Sequence, residues 1–301
     1  MTYRVASLLS AHRASSEISS IQRMHVQGLD GADAYNPARP LLIGGKCLLP
    51  VRVEPRSSED SHVRFLARQT DGSWKVADDL PAFRLQDPFW CRIGEKLVFG
   101  GVHVDFSPSG TVLGWRTDFL IGRTITTLKL WFSGPKGMKD IRLCPLPEGR
   151  VAVFSRPQGA VGGRGQIGFT VAPSLDAVPE TISQAPLLGL FDPDEWGGVN
   201  QAVLLKDGTI GVLGHIACFS PDGARHYYPM AFTLAPRSAS LVVEPRILIE
   251  RRELLPGPAK RPDLADVLFP GGMENAGSRI RLYLGVSDVD IQTALVPDPF
   301  A

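Results

Sequence analysis

The hexapeptide LQDPFW, residues 85–90, sets a single carboxylate, Asp87, at the entrance of an apolar stretch that reads as a buried β-strand. Removing an unpaired carboxylate from water costs several kcal/mol or forces it to take up a proton. A lone Asp-Pro is satisfied as a turn or strand cap. The same local pattern, however, recurs along the chain. Polar clusters open or punctuate apolar strands at VRVEPR, LQDPFW, MKDIRL, GGVNQAVLL and KRPDLADVLF, marked by Arg52, Asp87, Asp140, Asn200 and Asp263.

The segments between these stations are short apolar or alternating runs separated by turn signals such as TDGSW, SPSG, PEGR, KDGT and SPDGAR. This punctuation defines many short strands and an all-β fold. LLKDGTIGVLGH, residues 204–215, reads as a hairpin turning at Asp207-Gly208. Helical periodicity is scarce, with one short helical candidate inside PSLDAVPETISQAPLL. Five stations over 301 residues suit a single five-bladed β-propeller, whose inner strands surround a channel and bring their polar residues to one mouth. Periodicity alone is also compatible with a pair of β-sandwiches or a barrel.

Composition narrows the function classes. The net charge of +1, from 32 basic and 31 acidic residues, argues against nucleic-acid or membrane binding driven by global charge. The four cysteines are far apart and form no CxxC or Cys/His ligand spacing, so they read as reduced core thiols in the cytoplasm. No stretch of about 18 apolar residues occurs, and the first residues carry no sustained apolar core of a leader peptide. There is no GxSxG, HExxH or Walker motif, no Cys–His nucleophile pattern, and no metal site or cofactor signature.

The candidate chemistry lies in the clusters. A carboxylate facing a partly dry channel can act as general acid, provided that companions hold the substrate. GPKGMKDIRL supplies Lys139, Asp140 and Arg142; on a strand, Asp140 and Arg142 share a face, either turned to a ligand or spent on an ion pair with each other. Arg156 follows in FSRPQG, and Arg164 lies in a glycine-rich turn that reads equally as a plain loop. Trp196 and Asn200 belong to DPDEWGGVNQ, where Trp196 is either a sugar-stacking platform or core. His215, on an apolar strand, is either a satisfied core residue or a ligand. DGARHYYPM concentrates Arg225, His226, Tyr227 and Tyr228, and AKRPDLADVLF holds Lys260, Arg261, Asp263 and Asp266. Together these suggest an anionic or polyhydroxylated small molecule.

DAYNPARPL, VRVEPRSSEDSHVRF, LQDPFW, GPKGMKDIRL, VFSRPQG, GGRGQIGF, EWGGVNQ, RHYYPMAF and KRPDLADVLFPGG, in this order over residues 30–288, resemble one family, glycosyltransferase family 108 with its bacterial relatives. The resemblance implies a five-bladed β-propeller similar to the mannoside phosphorylases of glycoside hydrolase family 130. It implies synthesis and phosphorolysis of β-1,2-linked mannose oligomers of the mannogen reserve, with phosphate, mannose-1-phosphate or GDP-mannose as substrates. It carries the catalytic acid onto Asp87, although Gln86 stands where the related phosphorylases have an acidic residue. Motif and chemistry then make Lys139, Arg142, Arg156, His215 and Tyr228 the phosphate ligands. Arg52, Glu54, Asp140, Asn200, Trp196 and Asp263 are the sugar ligands. A phosphorylase needs one acid where an inverting hydrolase needs an acid and a base. The alternatives are such a hydrolase acting on β-mannosides, with Asp140 or Asp263 as base, and a non-catalytic sugar-binding propeller.

Overall fold

In a computed structural model describing residues 2–301, the chain is mostly β-strand, arranged as five successive antiparallel units. The first is built on Lys46–Glu54, His62–Arg68 and Trp74–Val76, with Asp33–Tyr35 and Leu41–Ile43 both pairing to the Lys46–Glu54 strand. The second is a four-stranded meander, Gln86–Ile93, Lys96–Phe106, Val112–Gly122 and Lys129–Ser133. The third has three strands, Arg142–Pro145, Val151–Ser155 and Gly168–Ala172. The fourth comprises Trp196–Leu204, Ile210–Phe219, Arg225–Ala235 and Ser240–Ile247. The expected hairpin at Asp207-Gly208 joins its first two strands.

The fifth unit combines Asp266–Asn275, Arg279–Val286 and Asp290–Pro297 with an outer strand from the other end of the chain, Ser19–Arg23. A short parallel pairing, His226 to Asp266 and Tyr227 to Val267, links the fourth and fifth units into one eight-stranded sheet. The first strand of each unit contacts the first strand of the next, from Lys46–Glu54 through to Asp266–Asn275. The fifth unit in turn contacts Asp33–Tyr35 of the first.

The core lies between units rather than at one centre. Phe65, Leu85 and Phe99 fill the gap between the first and second units, and Phe89, Phe119, Ile141 and Val153 that between the second and third. Phe154, Phe169, Val199, Phe232 and Met230 join the third and fourth. A strand with both faces between sheets reads as a nearly continuous apolar run, as in Val151–Ser155, which is buried throughout.

The short helical candidate is present as Val178–Thr181, continued by a 3-10 turn. A second helix, Val5–Ser15, is a feature that the strand-dominated reading missed. It buries Val5, Leu9 and His12 on one face against the fourth unit. Glu195 accepts from the Val5 backbone N–H at 3.0 Å, and His12 lies 2.7 Å from Glu253. Among the described residues no helix is long and apolar enough to cross a membrane, and all four cysteines are free.

Candidate active site

Four polar residues that line one cavity share an unusual backbone. Asn36, Asp87, Asp140 and Asp288 have φ values of 44°, 50°, 58° and 56°. The left-handed region costs an L-residue energy, and short Asx side chains tolerate it best. Such strain clusters where side chains must be aimed. Here it turns carboxylates from different units into a space of about 190 Å³ that is also lined by Arg52, Glu59, Lys139, Arg156, His215, Arg225, Tyr227, Arg261 and Phe269. Wider clefts of about 730 and 1050 Å³ elsewhere on the surface do not bring these groups together.

Asp87 is 7% exposed and begins the second unit. Its Oδ1 accepts from Asn36 Nδ2 at 2.8 Å and lies 3.5 Å from Arg52 Nη1. Asn36 approaches closely because residue 285 is glycine; a Cβ there would stand 2.0 Å from Asn36 Oδ1. Arg52 lies over the Tyr35 ring and donates to Glu54 at 2.8 Å, Ser61 at 3.0 Å and Glu59 at 3.1 Å. Burial opposes the Arg52 charge, yet Tyr35, Asp87 and Glu54 raise its pKa, so it stays a cation. Glu54 also takes hydrogen bonds from Tyr35, Ser61 and Lys260. Asp288, recessed at the tip of the last hairpin, has its pKa pushed up to about 6 by burial and by the nearby Asp87.

The opposite group is cationic. Asp140, 2% exposed, has Arg156 Nη1 at 3.3 Å and Arg142 Nη2 at 3.9 Å. Burial works against its charge, but Arg156 and Lys139 hold its pKa below the usual carboxylate range. Arg156 passes over Gly198, where a Cβ would stand 2.8 Å from Arg156 Cδ. His215, stacked on Tyr227, is pushed down to about 3, chiefly by burial, and is therefore neutral near pH 7. Its Nδ1 lies 2.8 Å from Asn200 Oδ1.

Arg225, Tyr227 and Arg261, named from the sequence without a role, line the cavity; of the twelve residues given roles, six line it too: Asp87, Arg52, Lys139, Asp140, Arg156 and His215. The other six do not. Glu54 is buried beneath Arg52, with its lone pairs taken by protein donors. Arg142 lies over the Phe89 ring and donates to the Asn200 carbonyl. Asn200 stands behind His215. Trp196 packs in the core against Phe219 and Tyr227, donating to the Tyr227 hydroxyl, and so offers no sugar platform. Tyr228 points away and donates to Asp266 at 2.6 Å. Asp263 is spent on ion pairs to Arg225 and Arg261.

Asn36, Glu59 and Asp288 are lining residues that the motifs did not select, and Tyr227 was named only beside Tyr228, to which the phosphate role was given. Strand alternation supplies the correction at Tyr227: adjacent residues of RHYY face opposite ways, and only register decides which faces inward. The signal for Asn36 was its Asn-Pro context, the counterpart of Asp87-Pro88. Outside the cavity, His12, Glu250 and Glu253 offer ligand atoms within 4.8 Å of one another, but Arg13 and Arg252 already pair with Glu250.

An all-β array of sheet units with a carboxylate and a cation cluster in one cavity suits chemistry on a phosphorylated or polyhydroxylated small molecule. The chain belongs to the family described as "Protein of unknown function (DUF1861)", whose pattern matches residues 10–301. Among solved structures it is similar to MPT-4, a mannose phosphorylase from Leishmania mexicana in complex with a phosphate ion. Identity is 31%, covering 98% of this chain and 93% of that one, with a TM-score of 0.91. It is similar also to MPT-1, a GDP-Man-dependent mannosyltransferase from the same organism, at 31% identity, 99% and 95% coverage and a TM-score of 0.89. A structure from the GH130 family of mannoside phosphorylases shares the fold at 14% identity, 94% and 97% coverage and a TM-score of 0.62. No curated protein matches the chain.

Proposed function

We propose that this protein is an inverting glycosyltransferase and glycoside phosphorylase that makes and phosphorolyses β-1,2-mannosides, with Asp87 as general acid and base. The observation carrying this reading is the presence of Asp87, clamped by Asn36 and Arg52, in one cavity with Lys139, Arg156 and His215. The likeness to a mannose phosphorylase and a GDP-Man-dependent mannosyltransferase supports it. In this reading the five units form a single five-bladed propeller, with the cavity at one mouth of its channel; the contacts between successive first strands support that arrangement. The free thiols suit a reducing cytoplasm.

In phosphorolysis, a phosphate oxygen held by Lys139, Arg156 and Tyr227 attacks the anomeric carbon. The glycosidic C–O bond breaks on the opposite face, and Asp87 gives its proton to the leaving oxygen. The products are mannose-1-phosphate and a shortened acceptor. In synthesis Asp87 takes the proton from the acceptor hydroxyl while phosphate, or GDP from GDP-mannose, departs towards the cations. Phosphate is already a nucleophile, so no second carboxylate is required as base. Of the bases named for a hydrolase, Asp263 is held in rim ion pairs, and Asp140 is made a weak base by Arg156 and Lys139, which hold its pKa below the usual carboxylate range.

Incubation with β-1,2-mannobiose, with and without phosphate, tests the reading. Phosphate-dependent release of mannose-1-phosphate is expected. Free mannose released at the same rate without phosphate would make it a hydrolase. No turnover in either direction, with sugar still bound, would make it a binding protein.

A further inference from the structure

Three buried polar atoms of the cationic group make no hydrogen bond among the described residues: Asp140 Oδ1, Arg156 Nη1 and Asn200 Nδ2. They are of two kinds. Arg156 Nη1 and Asn200 Nδ2 are donors, whereas Asp140 Oδ1 only accepts. Arg156 Nη1 comes within 3.3 Å of the other Asp140 oxygen without the alignment of a hydrogen bond. Asp140 and Arg156 are each 2% exposed, yet both reach the cavity surface beside Lys139 and His215. A buried polar group without a partner is costly, and this cluster has unmet demand for both an acceptor and a donor.

A fully deprotonated oxyanion answers only half of that demand. Its oxygens accept from Arg156 and Lys139, but the one turned to Asp140 meets a second acceptor carrying negative charge. Orthophosphate near neutral pH retains at least one O–H and answers both. We propose that Asp140 reads a proton on the bound anion, so that the site takes hydrogen phosphate and rejects sulfate, which has the same shape and no O–H. Arg156, Lys139 and Arg142, the charged groups around Asp140, keep it ionised as an acceptor, and its remaining titratable neighbour, His215, is neutral. With Asn200 Oδ1 accepting from His215 Nδ1, the ring presents Nε2 as a second acceptor. This assignment rests on phosphate occupying the Lys139–Arg156 side, as in the proposed function.

Calorimetric titration with phosphate, arsenate and sulfate at pH 7.5, alongside mannobiose phosphorolysis, tests both levels. Phosphate and arsenate, which both carry an O–H, should bind comparably, with sulfate about tenfold weaker or worse. In Asp140→Asn the new amide donates, and the phosphate preference should shrink to roughly threefold or less. Sulfate binding the wild type as tightly as phosphate overturns the proposal without needing the variant. A folded Asp140→Asn protein that keeps the full preference overturns it too. In either case phosphate-dependent turnover leaves the phosphorylase reading standing. If no oxyanion binds and phosphate does not support turnover, that reading falls and this proposal with it.

Discussion

On one side of the cavity Asp87 is held by Asn36 and Arg52, and Arg52 in turn by Glu54, Ser61 and Glu59. On the other side Asp140 and Arg156 approach to 3.3 Å without completing a hydrogen bond. The first arrangement fixes a carboxylate before any substrate arrives, and such preorganisation suits proton transfer. In the second, Arg156 Nε is anchored on the Gly197 carbonyl while Arg156 Nη1 and Asp140 Oδ1 are left without hydrogen-bond partners among the described residues, which suits recognition of a ligand that brings both charge and hydrogen bonds. The two sides should therefore fail in different ways when altered.

The largest effect is expected at Asp87. Asp87→Asn should lower kcat for phosphorolysis by about a hundredfold to ten-thousandfold while the melting temperature stays close to wild type. Turnover near the wild-type level would remove Asp87 from the chemistry. Arg156→Met should instead raise the phosphate KM by roughly tenfold to a hundredfold with a smaller change in kcat. Gly198→Ala, which brings a Cβ against Arg156 and His215, should move the same parameter in the same direction by a few-fold. A kcat loss with phosphate KM unchanged in these two variants would dissolve the distinction between the sides.

A pH experiment sharpens the first side. The folded pKa of Asp288, about 6, lies above its ordinary value of 3.8, so the native state binds the proton more tightly between those pH values. Its contribution to stability is present below about pH 4 and is lost as pH rises through 6. Asp288→Asn should accordingly be more stable than wild type at pH 7.5, by ~1–2 kcal/mol, with the gap closing towards pH 4. Chemical denaturation at both pH values measures it, and a gap independent of pH would refute the assignment. The smallest effect concerns register. Tyr228→Phe should cost ~1 kcal/mol of stability through the lost Asp266 bond and leave the phosphate KM alone, whereas Tyr227→Phe should raise that KM.

The all-β class was legible because turn residues punctuate short apolar runs, and four of the five stations lie at the first strands of units. The fifth, KRPDLADVLF, also opens the first strand of its unit, Asp266–Asn275, but the residue marked in it does not line the cavity. Asp263 belongs to a rim turn, while the carboxylate of the last unit that reaches the cavity, Asp288, sits in the hairpin sequence VSDVD. Nothing local distinguishes that hairpin from a solvent-exposed turn; its place is set by Ser287 bonding to Ala265 and Val267, residues distant in the chain. Tyr227 and Tyr228 illustrate a second limit, since alternation assigns them opposite faces without saying which is inner. The helix Val5–Ser15 was overlooked because its three buried positions include a histidine, His12, whose burial depends on Glu253.

Ser19–Arg23 pairs with Asp290–Pro297, so the outermost strand of the last unit arrives from the opposite end of the polypeptide. Such a pairing has a high entropic cost of closure and is expected late in folding. Until it forms, Asp290–Pro297 presents an open edge capable of recruiting a strand from another molecule. The clasp thus ties colloidal behaviour to the amino-terminal residues: a nick between Arg23 and Asp33 would leave the cavity-lining residues in place yet loosen the guard on that edge.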